Sequence, residues 1–149
     1  AGLPPFGAAK PVPVDTRNLD NPRRDHAVIA AAGPLSNLIL VVPSVILLRL
    51  ALDGSFPFGL VPGELLGPLQ SLLWWSVVVN LMLAAFNLLP IPPLDGSWIL
   101  SNYLPEPALA AYRSLQPYGF LILMLLIWSG VLGQFLQPVL RFGQFLVFG

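Results

Sequence analysis

The sequence predicts an all-α membrane protein, and three observations point there. Only 9% of its residues are charged and 56% are hydrophobic, whereas a soluble domain carries about 25% charged residues. Three uncharged runs, 27–48, 65–94 and 114–140, each reach the about 20 apolar residues that crossing a bilayer requires. No stretch alternates apolar and polar residues as a membrane barrel strand does. The spanning elements are therefore helices, which satisfy their own backbone groups in lipid. A mean hydropathy of +0.77 agrees, and a length of 149 residues predicts one membrane domain over 1–149.

Residues 1–25 hold Pro4, Pro5, Pro11, Pro13 and Pro22. A chain so interrupted is not one helix, and "KPVPVD" reads as an extended arm. The first span follows at 27–48, bounded by Asp25 and Arg49. "DGSFPFGLVPGELLGP" then joins two spans and is rich in breakers. The second span covers 69–89 and ends at the prolines of "NLLPIPPLDG". "SNYLPEPALAAYRSLQP" holds a short amphipathic helix from Pro107 to Leu115, and a third span follows at 118–136. After Gln137-Pro138 the tail is too short to span alone, so it forms an interfacial or packed-back helix. About three transmembrane helices result, and no internal repeat is present.

Seven basic residues balance seven acidic ones, which gives no electrostatic case for a nucleic-acid partner. There is no cysteine, so disulfides and thiolate metal sites are excluded. Lys10, Arg17, Arg23, Arg24 and Arg113 fall on one side of the predicted spans, and Arg49 and Arg141 on the other. The positive-inside rule places the N-terminal arm and the loop of Asp95 in the cytoplasm.

Asp95 is the leading candidate for chemistry. It ends an uncharged run of 30 residues, Leu65 to Leu94, with three prolines before it and Gly96 after it. An acid at the edge of a membrane helix is costly unless it faces water, a partner or a metal. Two uses fit: a carboxylate aimed inward from a rigid break, or a cap or Asp-Gly turn in headgroup water. Asn87 lies eight residues earlier and Asn80 seven before that, on nearly one helical face. Asn80 fits helix–helix glue. Gly33, Pro34, Ser36 and Asn37, in "AAGPLSN", fit packing of the first span against a neighbour, with a kink at Pro34. His26, the single histidine, fits an interfacial side chain better than a ligand or base. Glu64 and Glu106 sit in loops and read as solvated.

Several classes are excluded. "WSG" at 128–130 lacks the G-x-S-x-G elbow of a serine hydrolase. No phosphate-binding G-x-x-x-x-G-K-[ST] loop is present. A transporter would show paired broken helices in two similar halves.

"AKPVPVDTRNLDNPRRD", "AAGPLSN" and "NLMLAAFNLLPIPPLDGS", in this order and spacing, resemble the site-2 protease family of intramembrane zinc metalloproteases, in particular its compact bacterial members. The resemblance runs from Phe6 to about Tyr103 and departs at Ala8, where the family often has an aromatic residue. It implies that Asp95 is the third protein ligand of a catalytic zinc, in a bacterial inner membrane. It implies that Asn87 contacts substrate or the developing oxyanion, and that "AAKPVPV" pairs with an unwound segment of a membrane-protein substrate. The family's other two zinc ligands and its general base come from a His-Glu-x-x-His helix. This sequence has no such motif, so it holds no catalytic base and is expected to be the C-terminal portion of a longer protease, inactive alone. The alternative is a non-catalytic membrane homologue that binds transmembrane segments or a partner protein.

Overall fold

The computed structural model describes residues 22–149. Among these residues the α-helices are α1 Pro22–Leu52, α2 Gly63–Asn87, α3 Asp95–Tyr103, α4 Glu106–Arg113, α5 Gly119–Trp128 and α6 Val131–Phe148. Single 3-10 turns at Phe58–Leu60 and Gln116–Tyr118 link them. The extended arm read over 1–25 lies mostly outside the described residues, but its last four residues already belong to α1. A proline tolerates the first helical turn, where its missing N–H costs nothing.

Among the described residues four helical stretches are long and apolar enough to cross a membrane: Arg23–Leu52, Gly63–Asn87, Glu106–Trp128 and Val131–Phe148. Three uncharged runs predict three spans, and the difference arises at Gly130. Its φ of 75° is a left-handed conformation that glycine adopts without a Cβ penalty, and it separates α5 from α6. Residues 131–136, apolar enough to extend the third run, therefore begin α6. Pro138 lies inside α6 and does not end it, so 139–149 is the second half of a helix and not a separate tail.

α1 carries Pro34 and Pro43 in its interior. Each removes one backbone donor, leaving the carbonyls of Ala30 and Ile39 without their usual partner, yet the helix continues through both. Ser36 Oγ donates to the Ala32 carbonyl at 2.7 Å, and Ser44 Oγ to that of Leu40 at 2.8 Å.

α1, α2 and α6 share a core of Val41, Leu48, Val77, Leu81 and Val147. Gly143 brings α6 close to α2: a Cβ there would stand 3.0 Å from Leu81 Cδ1. Small residues at such crossings drive packing where the hydrophobic effect between helices is absent. Ser44 and Ser76 share a hydrogen bond of 2.8 Å between α1 and α2, and Asn80 Nδ2 donates to the Ser76 carbonyl at 2.8 Å. Gln70 Nε2 reaches the Ala51 carbonyl at 2.9 Å, satisfying an otherwise open acceptor in the last turn of α1. Outward faces stay apolar, with Ile39, Val42, Trp75 and Phe120 all exposed. In water such a surface would drive association; here it faces lipid.

Candidate functional site

Below α2 the chain cannot remain helical. Pro90, Pro92 and Pro93 lack the N–H donors a helix needs, so residues 88–94 close into tight turns. Leu89 N–H donates to Phe86 O at 3.1 Å, Ile91 to Leu89 O at 2.8 Å, and Leu94 to Ile91 O at 2.9 Å. Three further contacts hold this break. Gly96, buried, lies against the carbonyls of Leu88 and Leu89, with no room for a Cβ. Tyr112 of α4 donates its hydroxyl to the Pro90 carbonyl at 2.8 Å. Gly119, at the start of α5, lies against the Pro92 carbonyl with no space for a side chain.

The Gly96 contact folds the start of α3 back onto the end of α2. Asp95 is the first residue of α3 and Asn87 the last of α2, so this contact places the two helix ends that carry them side by side. From the other side comes α1. A Cβ on Gly33 would stand 2.9 Å from Asp95 Oδ2, so the carboxylate rests directly over the glycine of "AAGPLSN". Pro34 beside it is fully buried, and Asn37 lies one turn further along α1, partly buried.

Asp95 makes no hydrogen bond or ion pair among the described residues. The cap position of α3 belongs to Leu94, and no side chain caps it. The carboxylate therefore does not act as a cap. Its position in the first turn is favoured by the helix dipole, while burial raises its pKa above the ordinary carboxylate value. Asn87 is likewise partly buried, and its amide makes no hydrogen bond among the described residues.

His26 is elsewhere. It lies seven residues before Gly33, about 10 Å along the helix, and its ring stacks on Trp98 with centroids 5.3 Å apart. Glu106, read as solvated, is exposed but ion-paired with Arg23. The described residues hold no group of three or more His, Cys, Asp or Glu side chains able to bind a metal. Asp95 offers one oxygen donor, fewer than the three protein ligands of a catalytic zinc. Tyr112 and Gly119 escaped sequence reasoning. One glycine heading the apolar run 119–128 was the available signal.

Such an architecture defines a multi-pass helical membrane protein with an aspartate, unpartnered among the described residues, held at a proline break between helices. Residues 56–127 match the family model described as "Peptidase family M50", a stretch that contains α2, the break and Asp95. Similar proteins include "Putative zinc metalloprotease YwhC" of Bacillus subtilis (strain 168), 34% identical over 139 residues, which are 93% of this chain and 62% of that protein. "Putative zinc metalloprotease MJ0611" of Methanocaldococcus jannaschii is 32% identical over 105 residues, 68% of this chain and 45% of its own length. "Putative zinc metalloprotease Rip2" of Mycolicibacterium smegmatis is 28% identical over 127 residues, 82% and 44% respectively. No solved structure matches the chain. These similarities support a member of the site-2 protease family, peptidase family M50. It spans less than two thirds of the length of these relatives.

Proposed function

We propose that this chain forms part of an intramembrane zinc metalloprotease acting on membrane-embedded protein substrates, with Asp95 as one zinc ligand and Asn87 as a substrate-side donor. One observation carries the reading. A partly buried carboxylate that caps nothing and pairs with nothing among the described residues is held by a braced proline break over a glycine of another helix. An acid so placed is costly without a partner, and a cation is the partner that would relieve the cost. Zinc, when bound at such sites, supplies Lewis acidity and an activated water. The remaining ligands and the general base come from outside the described residues. The membrane proposed is a bacterial inner membrane, with the Asp95 side toward the cytoplasm.

Asp95 holds its oxygen donor at a fixed place because α2, α4 and α5 brace the break before it. Asn87, whose amide is uncommitted among the described residues, ends the helix against which the start of α3 is folded, and in this reading a substrate carbonyl accepts its N–H. Gly96 makes the approach of α3 to α2 possible. Gly33 and Pro34 set the α1 surface on which the carboxylate rests, and Asn37 stays with α1 packing.

Metal analysis tests the reading. The chain alone, purified in detergent and dialysed, is expected to retain no stoichiometric zinc, because one carboxylate does not make a site. A full-length relative is expected to retain zinc and to lose it on Asp95→Ala. Tightly held zinc on the chain alone would overturn the ligand count, and zinc unaffected by Asp95→Ala would overturn the ligand role.

Gly33→Ala separates positioning from folding. The new Cβ meets only the end of the flexible Asp95 side chain, at 2.9 Å, so the carboxylate moves and the helices stay. Alanine also favours a helix interior by up to about 1 kcal/mol over glycine. In a full-length relative the expected result is unchanged or higher thermal stability with cleavage lowered about tenfold, the scale of disturbing a ligand's support. Normal cleavage would show that Gly33 only packs.

A further inference from the structure

Where α1, α3 and the link from the end of α4 to α5 meet, a cavity of about 210 Å³ opens. It exceeds the about 30 Å³ share of one water, and a tetrahedral anion fits within it. Its lining brings the guanidinium groups of Arg23 and Arg113 together with His26, Ser101, Asn102 and Gln116, and Trp98 forms a wall by stacking on His26. No acid lines it. Glu106 binds Arg23 from outside the lining, and Arg113 has no ion-pair partner among the described residues. Guanidinium, carboxamide and hydroxyl donors around one space are the chemistry that recognises a phosphate group.

A second cavity, of about 300 Å³, shares Asn102 with the first. Its wall is Ala27, Val28 and Ala31 of α1 with Ile99 and Tyr103 of α3, and Arg24 stands at one end. From Arg24 to Ala31 this groove runs about 10 Å along α1, into the span that starts at Arg23. Depth is fixed independently. Arg23 and Glu106 each begin a candidate span and are bonded to each other, so both lie at one membrane face. Trp98 and Tyr103 are exposed there, as aromatic residues are at headgroup level.

Polar cavity at headgroup depth and apolar groove running inward match one molecule type. We infer that they hold an anionic phospholipid, its phosphate between Arg23 and Arg113 and an acyl chain along Ala27, Ala31 and Ile99. Basic pockets between membrane helices take anionic headgroups in this way. The site does not involve Asp95, and its test reads binding without proteolysis, so failure of the protease reading leaves it standing.

The experiment is native mass spectrometry of the detergent-purified chain titrated with phosphatidylglycerol, phosphatidylcholine or inorganic phosphate. Phosphatidylglycerol is expected to be retained more tightly than phosphatidylcholine, and both more tightly than inorganic phosphate. Arg113→Gln is expected to weaken phosphatidylglycerol about tenfold or more, the scale of one charged hydrogen-bonding group, and Arg113→Lys less. Ala31→Trp, which fills the groove, is expected to weaken both lipids without changing the response to inorganic phosphate. Circular dichroism confirms that each variant keeps its helix content. Phosphatidylglycerol binding equal in the wild type and Arg113→Gln would overturn the site. Inorganic phosphate binding as tightly as lipid, with Ala31→Trp silent, would overturn the lipid assignment in favour of a free phosphate.

Discussion

Asp95→Ala, placed in a full-length relative, is expected to abolish cleavage while the protein remains in the membrane at its normal level. The two possible uses of this carboxylate differ sharply in consequence. A charge in the first turn of a helix contributes about 0.3–1 kcal/mol through the dipole, and a side-chain cap typically about 1 kcal/mol. Asp95 makes no cap bond, so only the smaller term is at stake. Removing a partly buried acid also relieves the desolvation that raises its pKa. Thermal stability of the zinc-free protein should therefore stay the same or rise slightly, while the zinc-loaded protein loses what the bound metal adds. Loss of a zinc ligand instead removes the activated water on which turnover depends. Cleavage of a membrane substrate, followed beside a melting curve of the purified protein, checks both halves. Wild-type cleavage by the variant would sink the ligand role, and aggregation or melting earlier than the zinc-free wild type would point to a structural one.

Much of the fold was open to a reading of composition. A chain with 9% charge and three uncharged runs has few alternatives to membrane helices. The break at Pro90, Pro92 and Pro93 was equally plain, because proline acts locally. Gly130 was not. An isolated glycine in an apolar stretch is tolerated in a helix or ends one, and only the packing of α6 on α2, through Gly143 and Leu81, makes ending it the better outcome. The three contacts bracing the break were hidden for a related reason. Gly96, Tyr112 and Gly119 act on carbonyls that lie up to 27 residues away in sequence, and no periodicity encodes such a pairing. Gly33 shows both sides. "AAGPLSN" marks it as a site of close approach, but not that the approaching group is the Asp95 carboxylate. His26 shows the converse: a residue type rich in possible chemistry whose ring stacks on Trp98.

Asn87→Ala and Asn80→Ala should fail in opposite ways, although both remove an amide from the same helix. Asn80 is engaged. Its Nδ2 donates to the Ser76 carbonyl at 2.8 Å and lies 3.5 Å from Ser76 Oγ, next to the Ser44–Ser76 bond that joins α1 to α2. Interhelical hydrogen bonds in membranes average about 0.6 kcal/mol, so Asn80→Ala should lower the melting temperature modestly and leave cleavage near normal. Asn87 has no such commitment. It ends α2 one residue before the carbonyl on which Gly96 rests, and Asp95 is the neighbour of Gly96. An amide left free beside the acid loses nothing structural when truncated, but a donor to a developing oxyanion can be worth roughly 3 kcal/mol of barrier. Asn87→Ala in a full-length relative should thus cleave about a hundredfold more slowly with an unchanged melting temperature. Because the donor acts in the transition state, the loss should fall on kcat more than on KM. An Asn87→Ala protein that melts early yet cleaves at the normal rate would make Asn87 a packing residue like Asn80, and would leave Asp95 as this chain's single contribution to the site.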